Sequence, residues 1–314
     1  MGLMKLQPDL AAVPLRFSLG EKTVWVWRPL LAVIDFGDAD RGPWTEPDPE
    51  DLPAEADGLM CRRAPQGRYP LGISRHGRYI CYAPRVEKLY FVSITGTFEE
   101  YLGRFSAKRR HNLKRSVRWF SEHSNGCAMT VALSAEEIEV FHRRAVEISH
   151  HTYQDKLLGA GMPADPEFLA SMKKIAQKGM ARGYLLWCEN RPVAFAWCSG
   201  KGDRLNYGII GYLPDYAKMS PGTALLYLIL EDLFREKKFR IFDFGVGEGW
   251  YKEAFATGCE EFVNAFLFLP SWRNRILLRL HAATEAVNSG AGALLERFGL
   301  KKAVKRLIRA LGGA

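Results

Sequence analysis

The sequence holds no run of roughly 18 apolar residues, so it offers no membrane-spanning helix. Its opening, Met1-Gly2-Leu3-Met4-Lys5-Leu6, has no apolar signal-peptide region, and Leu6 stands where a myristoylation signal needs Ser or Thr. Cysteine is scarce: six, at 61, 81, 127, 188, 198 and 259, with no CxxC spacing among them. That scatter argues against a structural zinc site and a disulfide framework, and reduced, mostly buried thiols in a cytoplasmic protein are expected. Low-complexity tracts and internal repeats are missing. Acidic residues are missing from 104–118, which carries seven Lys and Arg.

What is present is the composition of a folded protein. The 314 residues are 47% hydrophobic and 25% charged, which excludes a disordered or fibrous chain. The net charge of +9 is unevenly spread: 104–118 and 271–314 each contribute +7, leaving the remainder at −5. Two basic patches on a mildly acidic body attract anionic partners, whether CoA phosphates, nucleic acid or anionic lipid; each patch also reads as an ordinary solvated helix face.

Along the chain, Thr23–Trp27, Tyr79–Tyr82 and Lys88–Val92 read as strands. The Pro-, Gly- and Asp-rich stretch 37–70 between them reads as a long, mostly irregular excursion. Thr97 caps a short helix, and 106–118 begins a basic one that Asn125-Gly126 breaks. From Cys127 the pattern becomes regular: strand, helix capped by Ser134 and Glu137, helix, three strands, long apolar helix, strand, short helix, strand. The first two of the three central strands turn around Asn190-Arg191. Three hairpin-linked strands beside one β-α-β crossover predict a mixed sheet.

Several groups can carry chemistry. Ser220-Pro221-Gly222-Thr223 opens the long helix, where free N–H groups and the positive dipole end can hold a phosphate. Lys218 adds a cation beside it, although the same stretch also reads as an ordinary Ser-Pro helix start. Tyr251-Lys252 follows the strand ending at Phe244 through a Gly-rich turn that contains Glu248. His151, with Tyr153 and Gln154, follows a helix end, where imidazole can act as a base or simply complement the dipole. Asp243 is an inward-facing carboxylate near a strand end.

The element order and these motifs resemble the GNAT acyltransferases, and within them a CelD-like, cellulose-biosynthesis-type branch related to Fem-type aminoacyltransferases. The resemblance rests on Phe98–Leu102 with Lys108-Arg109-Arg110, His151–Gln154, Gly183–Trp187 with Arg191–Phe195, Ser220–Thr223, and Phe242–Gly245 through Tyr251-Lys252. It covers roughly residues 90–270. It implies an α/β (α+β) GNAT fold, with a mixed, mostly antiparallel sheet flanked by helices. A degenerate GNAT-like or accessory domain would occupy 1–125, the acyltransferase domain 126–270 and a basic amphipathic tail 271–314. It also implies acetyl-CoA or another acyl-CoA as co-substrate and no metal. Ser220, Gly222, Thr223 and Lys218 would cradle the CoA pyrophosphate, although the usual Arg/Gln-x-x-Gly-x-Gly/Ala pattern is not kept. Backbone at Ile209 and Ile210 would meet the thioester. Lys252 would stabilise charge on the transferring carbonyl, Tyr251 would protonate the thiolate, and Glu248 would take the amine proton. His151, Tyr153, Gln154 and Asp243 would border the acceptor, a small molecule, saccharide or peptide in envelope or polysaccharide biosynthesis. The tail would touch an anionic membrane from its inner face, or pack on the body, and nucleic acid is not an expected partner.

Three other functions fit parts of the sequence. A Fem-type enzyme would take aminoacyl-tRNA, using the basic 104–118 stretch. A GNAT fold without a donor site would serve as a scaffold. Phe239–Gly249, a strand, an acid and Gly-x-Gly-x-Gly, imitates the S-adenosylmethionine loop of methyltransferases. Only 65 residues follow Gly249, too few to complete a doubly wound sheet.

Overall fold

A computed structural model describes residues 9–19, 22–36, 45–124, 128–151, 161–247 and 249–297. The chain divides into two compact units, one of Met1–Lys88 with Glu261–Ala314, the other of Leu89–Glu260. The sequence reading divides it at 125/126 and 270/271 instead. The difference lies in residues 98–122, whose apolar side chains join the core of the Leu89–Glu260 unit, and in 261–297, which complete the other unit.

The first unit is built from β1 (Asp9–Ala12), β2 (Leu15–Leu19), β3 (Lys22–Trp27), β4 (Leu30–Asp35), β5 (Gly58–Pro65), β6 (Gly72–His76) and β7 (Tyr79–Ala83). The end of the chain adds a long strand, Gly258–Phe268, and a helix, Trp272–Arg297. Strand β5 pairs in parallel with β4, and antiparallel with the late strand, which also pairs with β7. Strand β5 corrects the reading of 37–70 as irregular. Its Leu59, Cys61 and Ala64 are fully buried, so an apolar stretch prevailed over the surrounding Pro and Gly. In the described part of that stretch before β5, the regular structure is one 3₁₀ turn, Pro49–Asp51.

The second unit holds β8 (Val86–Ser93), α1 (Phe98–Gly103), α2 (Ala107–Glu122), β9 (Met129–Ala132), α3 (Ala135–Ser149) and α4 (Pro166–Gln177). It continues with β10 (Ala181–Cys188), β11 (Arg191–Lys201), β12 (Arg204–Tyr212), α5 (Pro221–Glu236), β13 (Ile241–Val246) and α6 (Trp250–Phe255). In chain order the late strand is then β14 and the last helix α7. The capping boxes at Thr97–Glu100 and Ser134–Glu137 are both formed. The β10–β11 turn sits one residue earlier than expected: Glu189 and Asn190 take φ of 48° and 66°, the left-handed pair that suits the twist of a tight hairpin.

The strand order in this unit is β8-β13-β12-β11-β10-β9. Strands β12 and β13 run parallel and the other described pairs antiparallel. This is the mixed, mostly antiparallel GNAT-like sheet that the sequence predicts. A doubly wound parallel sheet, which the methyltransferase reading needs, is not formed among the described residues. Helices α3 and α5 pack on the sheet, with Ile138, Phe141, Ala145, Leu225, Ile229 and Leu230 buried in one core. Gly183 lets α3 approach β10 closely, since a Cβ there would lie 2.6 Å from the Phe141 ring.

Candidate functional site

The parallel contact between β12 and β13 is short. It comprises Arg204↔Ile241, Leu205↔Phe242 and Asn206↔Asp243, and no described pair joins the strands beyond it. Strand β12 continues along β11 to the Ala194↔Tyr212 pair, while β13 meets β8 again at Leu89. The edge of β12 beyond Asn206 is therefore left without a strand partner on the β13 side. A bulge reinforces the parting: Tyr207 faces Cys198 and Ile209 faces Trp197, so Gly208 is the extra residue. Such an insertion bends a strand and increases its twist. Ile209 and Ile210 lie just past the bulge, on the segment that has left β13.

Asp243 stands at the last parallel rung and is buried. Its Oδ2 accepts from Arg204 Nη1 at 2.9 Å, and its Oδ1 from the Gly245 N–H at 2.7 Å. Gly245 takes φ of 72°, which glycine adopts at little cost, and lies in the irregular step of β13 between Asp243 and Val246. Lys252, on α6, folds back under this step. Its ammonium donates to the carbonyls of Gly245 at 3.2 Å and Val246 at 3.0 Å. Burial pushes its pKa down, and the Asp243 charge opposes that shift. Lysine has three donors, so one N–H is left beyond these two bonds.

Tyr251 spans the opening. Its ring meets Tyr207 of β12 at 6.4 Å and Phe244 of β13 at 6.0 Å, so it packs against both diverging strands. Burial raises its phenol pKa, which keeps the proton on oxygen. Burial also raises that of Tyr207 well above the usual value. On the far side of α6, Glu253 accepts from the Tyr90 hydroxyl at 2.9 Å, anchoring the helix to β8.

The other end of β12 leads through a 3₁₀ turn, Pro214–Met219, to the N-terminus of α5. Ser220 has φ of 57° and its side chain makes no capping hydrogen bond to the first turn of α5. A Cβ at Gly222 would touch the Tyr212 ring at 3.8 Å, an ordinary contact without a clash. Lys218 and Ser220 are exposed. Helix α2 is tied to this corner: Ser116 Oγ donates to the Met219 carbonyl at 2.7 Å. Its Leu113 and Phe120 are buried, while Lys108, Lys114, Arg115 and Arg118 are exposed.

The expected residues thus fall into groups. Asp243, Tyr251 and Lys252 meet at the parting of the strands. Ile209, Ile210, Lys218, Ser220, Gly222 and Thr223 follow one another from the free edge to the helix start. His151 is exposed just after α3, with no described contact to the first group. Tyr153, Gln154 and Glu248 lie outside the described residues. Five further residues take part that the sequence does not mark: Arg204, Tyr207, Ser116, Tyr90 and Glu253. Arg204 was findable only through the parallel register, since a sequence does not show that residue 204 reaches residue 243. Elsewhere in the unit, an open hollow of about 260 Å³ has Arg182, Asp232, Arg235 and Glu236 in its lining. Those charges are already paired, Arg182 with Glu236 and Arg235 with Asp232. No group of three or more His, Cys, Asp or Glu among the described residues is placed to hold a metal ion. No described helix is long and apolar enough to cross a membrane.

Residues 107–253, which hold both groups, match the family model described as an acetyltransferase (GNAT) domain. This segment is similar to GNAT-type acetyltransferase domains. The GNAT domain makes the chain an enzyme and implies an acyl-CoA co-substrate. No curated protein matches the chain in sequence. Among solved structures, FemX is similar at 12% identity and a TM-score of 0.49, over 73% of this chain and 75% of that one. L-PGS from Bacillus licheniformis is similar at 14% identity and a TM-score of 0.45, over 71% and 72%. A GCN5-related N-acetyltransferase from Kribbella flavida is similar at 14% identity and a TM-score of 0.31, over 62% of each chain.

Proposed function

We propose that this chain moves an acyl group, acetyl in the simplest case, from CoA to an amine by direct attack in a ternary complex. The observation that carries this reading is the three-rung contact between β12 and β13 followed by their divergence, with Tyr251 packed against both strands. The pantetheine would lie along the freed edge of β12, near Ile209 and Ile210. The pyrophosphate would sit at the start of α5, where Gly222 offers a backbone N–H group, Thr223 a hydroxyl and Lys218 a charge; the Thr223 N–H itself is held by the Ser220 carbonyl at 3.1 Å.

The amine nitrogen attacks the thioester carbonyl carbon and the carbonyl electrons move to oxygen. A backbone N–H of the β12 edge and the remaining N–H of Lys252 stabilise that oxyanion. The C–S bond then breaks, Tyr251 gives its proton to the departing thiolate, and the amine loses its proton to Glu248. Asp243 acts as a positioning residue, holding Arg204 and the Gly245 backbone in place. A hydroxyl acceptor would follow the same course.

The finer reading places the enzyme in the CelD-like branch, acting on an acceptor of envelope or polysaccharide assembly that His151, Tyr153 and Gln154 would border. Its support is the set of motifs from Phe98 to Lys252. The part of residues 1–125 that lies outside the Leu89–Glu260 unit would then serve as an accessory or degenerate GNAT-like half. The exposed basic face of α2, fastened beside the start of α5, favours one second reading, a Fem-type enzyme that takes aminoacyl-tRNA.

A thermal-shift comparison of acetyl-CoA, CoA, S-adenosylmethionine and total tRNA separates these. A ligand at a hundred times its Kd stabilises the protein by about 2.7 kcal/mol. Stabilisation by the two CoA species alone is expected. Stabilisation by tRNA alone favours the second reading, and silence from CoA and acetyl-CoA rejects the first.

A further inference from the structure

We propose that the outer face of α7 docks this protein on an anionic lipid bilayer, an inference independent of the acyl-transfer reading. The helix has two apolar faces. The inner one is spent on the first unit. Leu278 is fully buried, Asn274 donates to the Leu269 carbonyl at 2.9 Å, and His281 Nδ1 lies 2.7 Å from the Tyr82 hydroxyl. Asn288 donates to the Ser18 carbonyl at 2.8 Å.

The outer face carries Trp272, Ile276, Leu280, Ala283 and Val287, spaced by four, four, three and four residues, which aligns them along one side of a helix. The four large side chains are 78%, 49%, 53% and 57% exposed. Arg275 and Arg279 border this stripe on one side and Arg273 on the other, all exposed. Residues 271–284 contain no acid, and the first one, Glu285, is turned to Arg85 at 3.1 Å.

The shape and charge select the occupant. The stripe is a narrow line on one convex helix, about 22 Å long at 1.5 Å per residue. A stable protein partner needs a patch of about 800 Å² per side, which five side chains in a row do not supply. A bilayer needs only a shallow apolar edge, because such a helix lies in the interface with its apolar side chains at the headgroup boundary. Trp272 suits that boundary, and arginine stems can lie along it while their guanidiniums meet lipid phosphates. The five Lys and Arg of 298–314, again without an acid, continue the same charge.

Co-sedimentation of the full chain with phosphatidylcholine vesicles, with and without phosphatidylglycerol, tests this. Binding is expected to the phosphatidylglycerol vesicles alone, and to weaken as salt rises. W272S/I276S/L280S changes only exposed positions, so its melting temperature should match the wild type. Its partitioning should fall about tenfold or more. R275Q/R279Q should lose part of the preference for the anionic lipid while keeping the fold. Failure of the wild type to bind, or unchanged binding by the triple variant, overturns the proposal. So does a dimer in sedimentation equilibrium that the triple variant abolishes, since a second copy would then cover the stripe.

Discussion

Arg204 and Asp243 lie at opposite ends of the three-rung ladder between β12 and β13, and they are joined by a 2.9 Å charge-assisted hydrogen bond. The bond crosses the strands diagonally, from the first rung to the last one before they part. It fastens the two strands across the whole ladder, up to the point where the opening begins.

Asp243→Asn should weaken this fastening and the support that Oδ1 gives the Gly245 backbone. A loss of about 1–3 kcal/mol is expected in denaturant unfolding, because a hydrogen bond to a charged group is weakened and Arg204 loses its counter-charge. A double-mutant cycle with Arg204→Gln should show coupling of about 0.5–3 kcal/mol. Additive effects would mean that the two side chains do not act as a pair.

Gly222→Ala separates fold from ligand binding. An added Cβ would meet only the Tyr212 ring, at an ordinary 3.8 Å, and the backbone is helical, so alanine should leave the melting temperature unchanged or slightly raise it. The added methyl stands where the pyrophosphate must approach the backbone, so acetyl-CoA affinity should fall about tenfold, equivalent to about 1.4 kcal/mol. Calorimetric titration reads both the affinity and the number of sites.

How far this was readable beforehand depends on the residue. The order of elements from residue 127, the cap at Thr97 and the capping box of Ser134 and Glu137 follow local rules, and the sequence carries them. So does the meeting of Asp243, Tyr251 and Lys252, which sit within ten residues of one another. Strand β5 did not show, because its apolar core is flanked by turn-forming residues and its pairing partners lie far off in sequence. Arg204 and Ser116 did not show either. Each acts through a partner set by tertiary register, Asp243 in one case and the Met219 carbonyl in the other.

Tyr251→Phe should lower kcat by about 100-fold, with little change in KM for acetyl-CoA, because the hydroxyl acts only as the thiolate leaves. The ring contacts with Tyr207 and Phe244 remain, so stability should hold. The pH profile gives a second check. Burial raises this phenol above its ordinary pKa of 10, and an acid must be protonated to work. Activity should therefore show no fall assignable to Tyr251 below pH 10.

The thiols should separate by reactivity. Burial pushes Cys61 up to about 12 and Cys81 up to about 11, and it raises Cys198 as well. Cys259 is exposed. The thiolate is the reactive form, so at pH 8 a maleimide should label Cys259 well before those three in the folded protein. Peptide mapping after brief labelling reads the order. Early labelling of Cys198 would contradict the packing of the β11–β12 layer.

Hydrogen–deuterium exchange of the full chain, with and without saturating acetyl-CoA, tests the central claim most directly. The expected result is slowed exchange at 207–212, where β12 has left β13, and at 219–225, where α5 begins. Bound acetyl-CoA that slows exchange elsewhere and leaves both segments unchanged would contradict a donor site at the parting of β12 and β13.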